Sequence, residues 1–219
     1  NNLLTIKLKK KFGDQINIIN DDVLKIDETN LFEEKAIVFG NLPYNISTPL
    51  IFHLLTFKDK VQDMHFMLQK EVVQRMAAGP DCKAYGRLSI MTQYQCQVIP
   101  VMEIGPEAFK PAPKVDSAIV RLVPHSNIKN PVKDIAALNT VCLAAFNQRR
   151  KTIRNGFKNL ISVAQLESLN IDANLRPENL TLDDYIMLAN FIVDNPPESV
   201  DTSNKKLSRR AMKRAEEQG

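Results

Sequence analysis

The chain has 219 residues, of which 44% are hydrophobic, 25% charged and 6% aromatic, the balance of one large or two small globular domains. That composition excludes a fibre, a disordered tail and a disulfide-stapled miniprotein, and no run approaches the ~20 apolar residues that a membrane span requires. The net charge of +4 is spread unevenly: most of the excess lies in the polar tail after residue 200, and Arg149, Arg150, Lys151, Arg154 and Lys158 form a basic run uninterrupted by acid.

In chain order, residues 3–12 read as the end of an amphipathic helix stopped by Gly13, and 16–19 as a short strand. Residues 20–34 are polar and acidic. The continuous apolar run 35–40 has the character of a buried strand in a parallel sheet, and it leads directly into Asn41-Leu42-Pro43-Tyr44. Ser47 or Thr48 as cap, with Pro49 at the first helical position, predicts a helix through residue 57. A strand over 64–69, helices over 70–78 and 87–94, and strands over 96–101 and 115–123 follow. Strands alternating with helices imply an α/β domain with a parallel or mixed sheet covered on both faces. After a linker at 124–131 the pattern is helical: 132–146, 149–160, 163–169 and 182–193. The expected organisation is therefore an α/β domain over 1–124, a small all-α domain over 125–194 and a basic flexible tail over 195–219.

The 7 glycines stand alone, so neither a G-x-G-x-x-G turn nor a Walker loop can be written. Cys82, Cys96 and Cys142 are odd in number and far apart, which argues against a disulfide framework and a zinc site and for a reducing cytoplasm. His53, His65 and His125 lack metal-ligand spacing and are read as packing or surface residues.

Asn41-Leu42-Pro43-Tyr44 sits at the carboxyl end of an apolar strand, where open α/β sheets bind ligands. A nucleobase amine is a poor nucleophile because its lone pair is delocalised into the ring. Two acceptors aimed at its hydrogens favour the tetrahedral shape and the positive charge that develop during attack. An Asn oxygen and a backbone carbonyl held by proline supply such acceptors, and Tyr44 can stack on a base swung out of its own stack. The same four residues also suit a simple rigid strand-to-helix turn.

Five segments, Asn41-Leu-Pro-Tyr-Asn-Ile-Ser-Thr-Pro49, Phe66-Met-Leu-Gln-Lys-Glu-Val72, Tyr85-Gly-Arg-Leu-Ser89, Phe109-x-Pro-x-Pro-Lys-Val-Asp-Ser117 and Phe146-x-x-Arg-Arg-Lys-Thr-Ile-Arg154, resemble successive motifs of the small-subunit ribosomal RNA adenine N6,N6-dimethyltransferases. The resemblance implies a Rossmann-like domain that binds S-adenosylmethionine, with its N-terminal part missing here, followed by a helical domain that docks on the small-subunit (30S) precursor. It implies dimethylation of two neighbouring adenosines near the 3′ end of the small-subunit RNA by a cytoplasmic monomer that does not engage a membrane. Carried over by residue, Asn41 and the Leu42 carbonyl, with Pro43 holding the turn, would orient the amine, and Tyr44 and Phe109 would stack the adenine. Asp22 and Val23, with Asn41, would meet the cofactor. Lys110, Lys114, Arg149, Arg150, Lys151 and Arg154 would contact RNA, the last four as the basic start of a helix.

The family's basic arm, first strand, glycine turn and ribose-binding acid have no counterpart in the sequence. A fragment of the enzyme is the expectation. Two alternatives stay open: a methyltransferase acting on large-subunit RNA, and a non-catalytic RNA-binding assembly factor on the same fold.

Overall fold

The computed structural model describes residues 2–26, 34–148 and 150–196. The chain divides into two compact units, one formed by Asn1–Pro131 with Pro177–Asp183 and the other by Val132–Arg176 with Asp184–Gly219.

In the first unit, helix α1 (Asn2–Phe12) ends on Lys9, Lys10 and Lys11, whose charges suit the negative end of a helix dipole. Gly13 then leaves the helix at φ +55°, a backbone conformation that glycine adopts without cost. The strand expected at 16–19 does not form. A strand exists through a partner's hydrogen-bond ladder, and among the described residues no strand pairs with this segment; Ile16 and Ile19 remain exposed.

Four strands make one sheet in the order β1-β2-β4-β3: β1 (Ala36–Asn41), β2 (Val61–Gln69), β3 (Cys96–Ile104) and β4 (Ser117–Pro124). β1 and β2 run parallel because helix α2 (Ser47–Leu55) carries the chain back between them, whereas β4 is antiparallel to both β2 and β3. Helices α3 (Lys70–Ala77) and α4 (Arg87–Gln95) lie between β2 and β3 in the chain. The period-two pattern of the central strands builds the core. Met64, Phe66 and Leu68 stand opposite Leu122, Val120 and Ala118, beneath Leu50, Ile51, Leu54 and Leu55 of α2 and Val73 and Met76 of α3. Each of the larger side chains in this set stabilises the fold by roughly 1.5–3 kcal/mol on burial.

Cover on both faces of the sheet was expected, but among the described residues the opposite face is open over β1. On the other face Ile37 and Phe39 are 55% and 81% exposed, and Phe39 stands beside His65 in the ladder. That face carries its own polar cluster. Asp63 receives Arg121 Nε at 2.8 Å and Nη2 at 2.7 Å, with His65 Nε2 at 3.3 Å. Burial would push the Asp63 carboxyl up, but the Arg121 and His65 hydrogen bonds, with the charges of both groups, outweigh it and hold the pKa below its ordinary value.

The second unit is helical. α5 (Ile135–Phe146) starts where the Asp134 carboxylate accepts the Ala136 N–H at 2.9 Å, and α7 (Val163–Ser168) starts at a reciprocal Ser162–Gln165 capping box. α8 (Leu182–Asp194) places Tyr185 in a stack with Phe146, ring centroids 5.8 Å apart. The long helix expected over 149–160 is absent: α6 (Ile153–Gly156) is a single turn. Extended backbone at Thr152 delays its start, and the N–H groups of Ile153 and Arg154 donate to Leu175 and Ala173 carbonyls at 2.8 and 3.2 Å. Residues 197–219, which hold nearly all of the expected tail, lie outside the described residues.

Candidate active site

Parallel β1 and β2 end on the same edge of the sheet, and that edge places the 41–44 turn. Asn41 is the last residue of β1, in register with Met67. The next residue anchors the turn: the Leu42 side chain is buried in the core and its N–H donates to the Met67 carbonyl at 3.3 Å. The turn closes through the Ile46 N–H on the Pro43 carbonyl at 3.1 Å and the Ser47 hydroxyl on the Tyr44 carbonyl at 3.2 Å. The expected cap at Ser47 or Thr48 is therefore corrected. Ser47 is itself the first helical residue, Pro49 the third, and the Ser47 hydroxyl is spent on the turn behind it.

Asn41, Leu42, Pro43 and Tyr44 line a cavity of about 310 Å³ together with Phe109, Pro111 and Pro113. These last three residues belong to the loop between β3 and β4, which bends at 109–111 and holds a cis Lys110–Pro111 peptide. It leaves Lys110 and Lys114 exposed. Among the described residues no hydrogen bond engages the Asn41 side chain or the Leu42 carbonyl. Both acceptors are free for a ligand.

Asp22 and Val23 do not line this cavity. Asp22 lies in a tight turn, one carboxylate oxygen accepting the Leu24 N–H at 3.1 Å and the other 3.9 Å from Lys25 Nζ; Val23 packs, half-buried, against the core. An exposed acceptor beside an apolar side chain suits the edge and face of an adenine ring.

In the second unit Arg150, Lys151 and Arg154 are all exposed, around a turn closed by the Lys151 N–H on the Gln148 carbonyl at 2.8 Å. Buried Ile153 and Phe157 hold this segment from beneath. The expectation of a basic helix start becomes a basic turn followed by one helical turn. Arg149 lies outside the described residues.

One residue escaped the sequence reading. Ser117, fully buried at the first position of β4, shares a hydrogen bond of 3.1 Å between its Oγ and Tyr44 Oη. The signal was present as the last letter of the Phe109 to Ser117 motif, but nothing local says that a serine 73 positions away meets the tyrosine.

The histidines have intramolecular partners: His53 Nε2 lies 2.9 Å from the Ile26 carbonyl, His125 Nε2 lies 3.1 Å from the Gln93 carbonyl, and His65 stands beside Asp63. Cys96 is buried and donates to the Thr92 carbonyl at 3.2 Å; burial pushes its thiol up to about 12, far from a reactive thiolate. Among the described residues no cluster of His, Cys, Asp and Glu could hold a metal ion, and no helix is long and apolar enough to cross a membrane.

The fold is that of an α/β, Rossmann-like methyltransferase. It resembles a crystal structure of a dimethyladenosine transferase from Plasmodium falciparum at a TM-score of 0.71 and 24% identity, over 89% of this chain and 78% of that one. It also resembles a structure of the 23S rRNA methyltransferase ErmE at a TM-score of 0.63 and 19% identity, over 86% of this chain and 78% of that one. The family model for ribosomal RNA adenine dimethylase matches residues 2–194, and the chain belongs to that family. Among curated relatives, ribosomal RNA small subunit methyltransferase A of Colwellia psychrerythraea is 77% identical over 193 residues, covering 87% of this chain and 64% of the relative. The protein of the same name from Aeromonas hydrophila is 61% identical, over 83% of this chain and 68% of the relative. The chain thus spans about two thirds of the length of these relatives.

Proposed function

We propose that the protein is a small-subunit ribosomal RNA adenine N6-dimethyltransferase and that the 41–44 turn is the part of it that handles the target base. The observation that carries this reading is the pairing of two unengaged acceptors, the Asn41 side chain and the Leu42 carbonyl, with Tyr44 and Phe109 in the lining of one cavity.

S-adenosylmethionine, when bound, supplies the electrophilic methyl group. Asp22 and Val23 would hold its adenine by edge and face, and Asn41 would lie beside it. Everything else in the reaction falls to the chain's own residues. Tyr44 and Phe109 receive the base that has left its stack. The Asn41 oxygen and the Leu42 carbonyl accept the two amine hydrogens, favour a tetrahedral nitrogen and stabilise its developing charge. The methylated amine is strongly acidic and loses its proton to water, so no general base is needed beside it. In the second round one hydrogen remains to be shared by the same two acceptors.

The exposed Lys110 and Lys114 of the loop that carries Phe109, and Arg149, Arg150, Lys151 and Arg154 in the helical unit, would meet phosphates of the small-subunit RNA. The relatives' shared name favours the small subunit as substrate over large-subunit RNA. The enzyme would work as a monomer in the cytoplasm.

Labelled methyl transfer from S-adenosylmethionine to unmethylated small subunits, with the full-length protein, tests the proposal. Transfer to N6 of adenosine is expected. Subunit binding without transfer would overturn it in favour of an assembly factor.

A further inference from the structure

We propose that Ser117 is a positioning residue that sets the plane of the Tyr44 ring for stacking on the target base. The inference rests on the reading of Tyr44 given above and adds to it the residue on which that stacking depends.

Tyr44 is 40% exposed and lies in a turn rather than in a strand or helix. Among the described residues its backbone is tied through the Ser47 hydroxyl on its carbonyl. A tyrosine in that setting rotates about its side-chain bonds on a fast timescale, and a ring that rotates presents its face to a ligand only part of the time. One contact removes that freedom: the 3.1 Å hydrogen bond between its Oη and Ser117 Oγ.

Ser117 is well built for the task. It is fully buried and begins β4, an inner strand paired on both sides, with Gln69 of β2 and Ile104 of β3 as its ladder partners. Its backbone is held by two strands, so its hydroxyl is a fixed point. The Tyr44 ring is consequently gripped at both ends, by the turn at its Cα and by the sheet at its Oη, in the cavity whose lining it shares with Phe109.

A direct consequence is that a phenylalanine at position 44 would keep the stacking surface but lose its orientation. The experiment uses RNA with 2-aminopurine in place of the target adenosine, whose fluorescence reports its stacking, together with kcat and KM for methyl transfer by the full-length protein. Tyr44→Phe, Ser117→Ala and the double variant are compared with the parent. Each single variant is expected to weaken the stacked signal and raise KM about 5- to 10-fold, as loss of one ordinary hydrogen bond would, and the double variant is expected to lose no more than either one. Tyr44→Phe changes an exposed residue and keeps the fold, so it decides the matter even if Ser117→Ala unfolds.

If Tyr44→Phe binds, stacks and turns over as the parent does, or if the double variant shows the sum of independent losses, the positioning role is overturned. If the parent itself gives no stacking signal, the reading of Tyr44 as the stacking residue fails instead.

Discussion

The 41–44 turn in the first unit and the 150–154 turn in the second are both conspicuous in the sequence, and they are held in different ways. The first is tied to the sheet at each step: Asn41 ends β1, Leu42 is sunk in the core and bonded to Met67, and Tyr44 reaches Ser117. The second is a run of exposed cations over two buried apolar residues, Ile153 and Phe157. The difference matches what each is asked to do. Acceptors aimed at an amine must hold their position to a fraction of an ångström, whereas a phosphate is attracted by charge over a broad range of geometry. Precision is found where strands end, and charge where the chain merely turns.

The largest expected effect would break the comparison if it failed. Asn41→Ala should lower methyl transfer at least 100-fold, the scale of losing one acceptor for developing charge, while binding to small subunits stays near that of the parent. Undiminished turnover would remove Asn41 from its role. The triple change Arg150→Ala, Lys151→Ala and Arg154→Ala should do the reverse. It should weaken subunit binding about 10-fold or more at physiological salt and flatten the dependence of log K on log salt by roughly 2, at about 0.7 per phosphate contact. kcat at saturating subunit should remain. A parallel fall in kcat would mean that the basic turn does more than hold RNA.

Gly156→Ala sharpens the same contrast through stability. A Cβ there would come within 2.9 Å of the Ala144 carbonyl and 3.3 Å of Ala145 Cα, backbone atoms of α5 that cannot swing aside. Overpacking of this kind costs about 1–3 kcal/mol, read as a lower denaturation midpoint of the helical unit while the 41–44 cavity keeps its ligand affinity.

The smallest effect concerns the open face of the sheet. Because the Asp63 pKa is lowered in the folded chain, the carboxylate binds protons more readily when unfolded. Its contribution to stability is complete above its ordinary pKa of about 4 and is lost as the pH falls through the lower folded value. Asp63→Asn should therefore flatten the acid limb of a stability-against-pH curve and cost stability at neutral pH. An unchanged acid limb would show that the Arg121 and His65 contacts carry no linkage.

Much of the first unit could be read from local pattern. The alternation on β4 and the stop at Gly13 produced the elements expected, because one-sided burial and glycine's access to positive φ are properties of short segments; the apolar run into Asn41 formed a strand parallel to β2, but as an edge strand with no buried residue rather than the buried one expected. Readings failed where formation depends on a distant partner. Residues 16–19 have strand-like side chains but no strand beside them among those described. The 149–160 segment has helix-like composition, but Thr152 is extended and the first helical N–H groups are taken by Leu175 and Ala173. The capping reading at Ser47 failed for a local reason, since a hydroxyl that could serve the helix serves the Tyr44 carbonyl of the preceding turn instead.

The sequence by itself determined the α/β core, the placing of Asn41-Leu42-Pro43-Tyr44 at a strand end and the chemistry those residues offer, because periodicity and residue type act over a few positions. Only the tertiary structure decided that Phe109 lines one cavity with them, that the basic run is a turn rather than a helix, and that Ser117 meets Tyr44. Those are contacts between segments far apart in the chain, and they exist only once sheet register and helix packing have brought the segments together.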